Sequence, residues 1–185
     1  MIRLIYAIVI GLVGASVVHL AIVFLLPRYS QNSAWNAIVA ATTINQPVEM
    51  NGEGDDPRLA RLVSRFDPYF RQVVCRYDIS EGGMRIHADV QAPLWTAAIY
   101  DSLALSYASG NDRLTAGQLL DFAIVDDRQL RFVRQNTPSV LTDSVIVPAR
   151  DTQGFVIVRV FVPDRSWTQL AESFVQAISC DTLTF

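Results

Sequence analysis

The chain has 185 residues, 51% of them hydrophobic, with 15 basic and 18 acidic side chains and a formal net charge of −3. That length holds one soluble domain of roughly 130–155 residues beside a single membrane segment, and excludes two large domains. All 15 basic residues are Arg; with Arg3 and Arg28 set aside as flanks of the apolar N-terminus, 13 Arg face 18 acids, a net of −5 that argues against nucleic acid as the main partner.

Residues 4–26, LIYAIVIGLVGASVVHLAIVFLL, run for 23 positions without a formal charge. As a helix they extend about 34 Å against a hydrocarbon core of about 30 Å, so residues 1–28 are predicted to be a transmembrane anchor. A secretory signal would have an apolar core of about 7–15 residues and a small-residue cleavage site; neither is present, and an uncleaved anchor is expected. The N-terminal amine and Arg3 on one side, against Arg28 alone on the other, predict a cytoplasmic N-terminus and a domain outside it. Tyr6, Tyr29 and Trp35 fall near the two interfaces. Within the span, Ala7, Gly11, Ala15 and His19 recur every four residues with Gly14 alongside, a stripe of small residues that lets another helix approach closely. A homo-oligomer or a membrane-protein partner is the expected use, and a lone anchor with incidental Gly and Ala is the alternative.

Residues 30–44 place Trp35, Ile38, Val39 and Thr42 at the spacing of an amphipathic helix, and 46–57, with Pro at both ends and four acids, read as a linker. Residues 29–56 are therefore taken as amphipathic helix and linker, and 57–185 as the exported domain. Asp56 and Pro57 open a short helix carrying Leu59, Leu62, Val63 and Phe66 on one side and Arg58, Arg61 and Arg65 on the other.

From Phe70 the period changes to two. Segments 70–78, 84–91, 94–100, 103–108, 118–126, 129–135, 142–148 and 154–162 are rich in Val, Ile, Phe and Tyr and are divided by short loops. With no helix-length insertions between them, hairpins and meanders are expected rather than βαβ units. Asp164 or Ser166 caps a helix that buries Trp167, Leu170, Ala171, Phe174, Val175 and Ile178, and the last residues add an edge strand. The fold class expected is α+β: an N-terminal transmembrane helix, an antiparallel β-rich sandwich or meander, and a C-terminal helix. Cys75 and Cys180, 105 positions apart, are expected to form a disulfide in an oxidising compartment, with two buried thiols as the alternative. Two His and no Cys-x-x-Cys leave no zinc set, and no metal or cofactor is expected.

The motifs DPYFRQVVCRYDIS at 67–80, LWTAAIYD at 94–101, SYASGNDR at 106–113 and GFVIVRVFVPDRSW at 154–167, closed by Cys180, resemble in order the bacterial domain of unknown function 1254 in its short, singly anchored form. The family's connection after Tyr-Asp holds a Gly where this chain has Ala104. The resemblance implies a β-rich domain on the periplasmic side of the inner membrane, often with a companion from the sister family 1214, and implies no reaction.

Three sets of side chains are candidates for chemistry. Arg85, His87 and Asp89 alternate with Met84, Ile86, Ala88 and Val90, so a His and a carboxylate share one face, the minimal pair for acid-base work; an exposed ion-pair ladder is the competing reading. Arg113 and Arg159 could bind a ligand carboxylate, or close structural pairs with Asp101 or Asp112. No G-x-S-x-G, H-E-x-x-H, P-loop or G-x-G-x-x-G occurs. The function expected is an accessory or binding module of an inner-membrane assembly, against an enzyme using His87 and Asp89 or a purely structural anchor.

Overall fold

The computed structural model describes residues 2–50 and 67–184. It opens on one helix, α1 (Ile2–Ala41), whose first part, Ile2–Leu26, is long and apolar enough to cross a membrane and is not buried against the rest of the chain. The helix continues past residue 28 without a break, so the amphipathic segment is its extension. Ala37 and Ile38 are buried, and Ile38 packs with Met50, Val74, Phe155 and Ile157. Once α1 reaches the domain, the spacing of Trp35, Ile38 and Thr42 gives it an inward face.

Among the described residues, nine strands follow: β1 (Pro47–Glu49), β2 (Phe70–Asp78), β3 (Gly83–Ala88), β4 (Trp95–Asp101), β5 (Ser106–Asn111), β6 (Leu120–Val125), β7 (Val145–Pro148), β8 (Gln153–Phe161) and β9 (Ser179–Leu183), with helices α2 (Asp127–Gln135) and α3 (Thr168–Ala177) between them. They form a five-stranded sheet in the order β1-β2-β8-β4-β5 and a four-stranded sheet in the order β7-β6-β3-β9. Val73, Cys75 and Tyr77 of β2, Trp95, Ala97 and Ile99 of β4 and Val156, Val158 and Val160 of β8 meet Met84, Ile86, Leu120, Phe122 and Ile124 in one core. This is the alternation that the period of two dictates, one face of each sheet turned inward. Trp95 is wholly buried, edge-on to Phe122 at 6.2 Å and stacked with Phe174 of α3 at 6.5 Å, and its indole N–H donates to the Gln118 carbonyl at 3.0 Å. Truncating such a side chain to Ala costs about 3–5 kcal/mol.

Two expectations about the strands are corrected. Segment 129–135 is helix α2, not a strand: Asp126 accepts from the Gln129 amide at 2.7 Å while the Gln129 side chain accepts from the Asp126 amide at 2.9 Å, a capping box that starts a helix there. Because α2 lies between β6 and β7, those two strands run parallel, so the domain contains a helical crossover as well as hairpins. Two smaller readings also change. Pro47–Glu49, placed in the linker, pairs with β2, and Leu170, placed on the buried face of α3, is 40% exposed. The short helix expected after Asp56 lies outside the described residues.

Two local features shape one end of the five-stranded sheet. Gly154 of β8 pairs with Tyr77 of β2, and the Tyr77 ring lies over it; the Tyr77 hydroxyl donates to the Tyr100 carbonyl at 3.0 Å and bonds the Tyr107 hydroxyl at 2.9 Å. Ala104, in the turn between β4 and β5, has φ of 59°, the left-handed region that favours the Gly of the resembled family.

Candidate functional site

The ladder on the outer face of β3 is built by register. Across β6, His87 pairs with Asp121 and Arg85 with Ala123; across β9, Arg85 pairs with Asp181 and His87 with Ser179. The ion pairs then form diagonally. Arg85 donates from Nε and Nη2 to the two carboxylate oxygens of Asp121, each at 2.9 Å, and Ser144 donates to the same carboxylate at 2.7 Å. The hydrogen bond to Asp121 holds the Arg85 guanidinium above its usual range, against the burial that lowers it. His87 Nε2 lies 2.9 Å from Asp181 Oδ2, whereas its Nδ1 is 3.8 Å from Asp89 Oδ1 and has no hydrogen-bond partner among the described residues.

The carboxylate closest to His87 is thus Asp181, not the Asp89 of the sequence reading, which stands past the end of β3 and is 92% exposed. Asp121, Ser144 and Asp181 were missed because they come from distant strands. Asp121 was within reach of pattern reading, since Leu120, Phe122 and Ile124 alternate inward and leave it outward. A fixed imidazole beside a carboxylate can pass a proton. The open concavity between Ile79, the start of α2 and Ala149–Thr152 does not include it.

The two other arginines part company. Arg113 is exposed after β5, and its amide donates to the Asn111 side chain at 3.2 Å. Asp101 is at the opposite end of the hairpin, five strand positions from the Thr96 that pairs with Asn111, a separation of about 17 Å. Arg159 does not reach Asp101 either, because it pairs with Thr96, five positions along β4 from Asp101, whose Oδ1 accepts from the Leu103 and Leu105 amides at 3.0 and 2.9 Å. On the outer face of the five-stranded sheet, Arg159 sits directly across from Gln72, which is only 3% exposed; among the described residues, Arg159 Nε and Gln72 Oε1 both lack partners.

In α1, nothing approaches the positions where a Cβ would stand on Gly11 and Gly14, and Ala7, Ala15 and His19 are likewise exposed along the helix. Cys75 of β2 and Cys180 of β9 stand at disulfide distance, with Cα atoms 6.5 Å apart, and join the two sheets.

No family model matches the chain, and no curated protein does. Among solved structures, a Vibrio parahaemolyticus protein matches 84% of this chain and 35% of its own at a TM-score of 0.60 and 12% identity. A Burkholderia cenocepacia protein described as uncharacterized matches over 85% and 41% of the two chains at a TM-score of 0.44 and 11% identity. The first likeness is one of fold, and this chain spans about a third of that protein's length.

Proposed function

We propose that the chain is a membrane-anchored accessory or binding module on the periplasmic side of a bacterial inner-membrane assembly, a short member of the 1254 family. The observation that carries this reading is α1. One unbroken helix supplies an apolar span of 25 residues and, in its last turns, the buried Ala37 and Ile38 that pack against the five-stranded sheet. A helix built into the domain core fixes the height and orientation of that domain over the bilayer, which is what a module presenting a surface to membrane partners requires.

Two further observations support the reading. The cysteine pair spanning the two sheets suits an oxidising compartment. The Vibrio protein carries this fold within a chain more than twice as long, which is in keeping with a short form that works beside a companion such as the sister family 1214.

The test is purification of the full chain in mild detergent with whatever it carries. Gly11→Ile and Ala15→Ile should each abolish co-purification of the partner, or dissociate a homo-oligomer, while the domain stays folded. Unchanged association refutes the assembly reading. For the location, Cys75 and Cys180 of protein taken from the cell should resist alkylation after unfolding without reductant, and free alkylation refutes a periplasmic domain.

A further inference from the structure

We propose that the turn between β4 and β5 rests, through Leu103 and Leu105, in the headgroup layer of the same bilayer that α1 crosses. The inference rests on the membrane-spanning reading of α1 and adds a second point of contact to it.

Direction comes from the packing of the helix. The Trp35 ring meets Phe155 at a centroid distance of 6.1 Å, and Phe155 stacks on Tyr100 at 4.8 Å, at the end of β4 that enters the turn. One helical turn later, Ile38 joins the cluster of Phe155 with Ile157 and Val74, which pair two positions farther from the β4–β5 turn than Phe155 does, and with Met50 beyond β1. The helix therefore meets the sheet near its turn end and runs away from that end, so that its apolar span leaves from the side of the β4–β5 turn. From Leu26 to Trp35, whose ring packs on Phe155, the helix rises about 14 Å. One headgroup layer takes up about 5–8 Å of that rise, and Leu103, three residues past Tyr100 at up to about 3.4 Å per residue, is within reach of the remainder.

The turn is shaped for that position. Leu103 and Leu105 are 54% and 41% exposed, while Ala104 between them packs back toward the Phe155 cluster. Their orientation is fixed, because the Asp101 carboxylate holds both leucine amides and the Ala104 amide donates to the Asp101 carbonyl at 3.0 Å. Residues 102–111 carry no formal charge, so the edge strand β5 lacks the charged side chains with which edges in water are usually protected. Uncharged polar groups flanking two outward leucines match the interface, where charges are not needed for solubility and apolar side chains are sheltered.

The experiment uses the full chain, with Cys75 and Cys180 oxidised, reconstituted in phosphatidylcholine and phosphatidylglycerol vesicles containing spin-labelled lipid. Leu103→Cys, Leu105→Cys, Leu114→Cys and Val17→Cys are each labelled with an environment-sensitive fluorophore. Leu114, 53% exposed at the far end of the same hairpin, is the control. Emission at 103 and 105 should shift to the blue on reconstitution and be quenched by a shallow spin label, while emission at 114 is not. If 103 and 105 behave as 114 does while Val17 is quenched by a deep label, the proposed contact is overturned and the anchor stands. If Val17 escapes the deep label, the anchor and the contact fall together.

Discussion

Gly154→Ala is the substitution that most directly tests how tightly β2, β8 and β4 pack at one end of the five-stranded sheet. A Cβ at this position would run into the Tyr100 carbonyl oxygen and into the hydroxyl and ring of Tyr77. Neither obstacle can move cheaply: one is backbone of β4, paired on both sides within the sheet, and the other is a ring with no solvent exposure. Overpacking of this kind costs about 1–3 kcal/mol, and displacing the Tyr77 hydroxyl from the Tyr100 carbonyl forfeits a further 0.5–1.5 kcal/mol or so. The sum is about 3 kcal/mol, or a fall in Tm of about 6–12 °C for a chain of this size. The assay is thermal unfolding of the full chain in mild detergent, followed by the fluorescence of its three tryptophans, of which Trp95 is wholly buried. Tyr77→Phe alone should cost about 1 kcal/mol, and in the double variant the Gly154→Ala penalty should shrink by about as much, since part of the clash is with the hydroxyl. A Gly154→Ala protein within about 0.5 kcal/mol of the parent would refute the packing argument.

The remaining predictions concern charge and covalent closure. Replacing Cys75 and Cys180 together by Ala opens a loop of 105 residues and should destabilise the protein by about 4–5 kcal/mol, with reductant producing the same loss in the parent only; equal Tm values with and without reductant would show that the bond is absent. Burial pushes the Tyr77 phenol above its ordinary range, and its bond to Tyr107 adds to this. Because its folded pKa is raised, the stability it contributes is present below pH about 10 and is lost above that by up to about 1.4 kcal/mol per pH unit. Urea midpoints between pH 8 and 11 should therefore fall more gently in Tyr77→Phe, and parallel curves would refute this. Asp121→Ala strands the half-buried Arg85 and should cost about 2 kcal/mol, more than His87→Gln, whose partner Asp181 is 61% exposed; the reverse order in urea unfolding would place the weight of the ladder on the histidine.

Local pattern was legible in the sequence wherever one face of an element is buried. The alternation from Trp95 to Ile99 marks β4, and Ala171, Phe174 and Val175 mark the inward face of α3, because both read out a single neighbour layer. Residues 129–135 misled for the opposite reason: in α2 only Val133 is buried, so Leu130 and Phe132 mimic strand alternation, and only the Asp126 to Gln129 capping pair carries the helical signal. Partner choice was the least legible part of the candidate site. His87 finds Asp181 94 positions away, and Arg85 finds Asp121 across a neighbouring strand, and these meetings are decided by sheet order. Arg159 shows the same limit, since its alternation is visible in the sequence but the Gln72 opposite it is a consequence of β2 and β8 being adjacent.

That adjacency of β2 and β8 also sets a timetable. The register runs from Asp78 with Gln153 to Phe70 with Phe161, so the first long strand to be synthesised pairs with one that follows 75 to 91 positions later. At about 5–20 residues per second, β2 waits several seconds for that partner, and β9, which brings Cys180 to Cys75, comes later still. On the proposed reading of α1 as a membrane span, the helix holds that bare strand within reach of the lipid surface, and of any neighbouring copy doing the same, throughout the wait. On that reading the tether makes the nascent domain a local, crowded problem, which a holding chaperone at the exit site, or slow delivery of chains, would relieve.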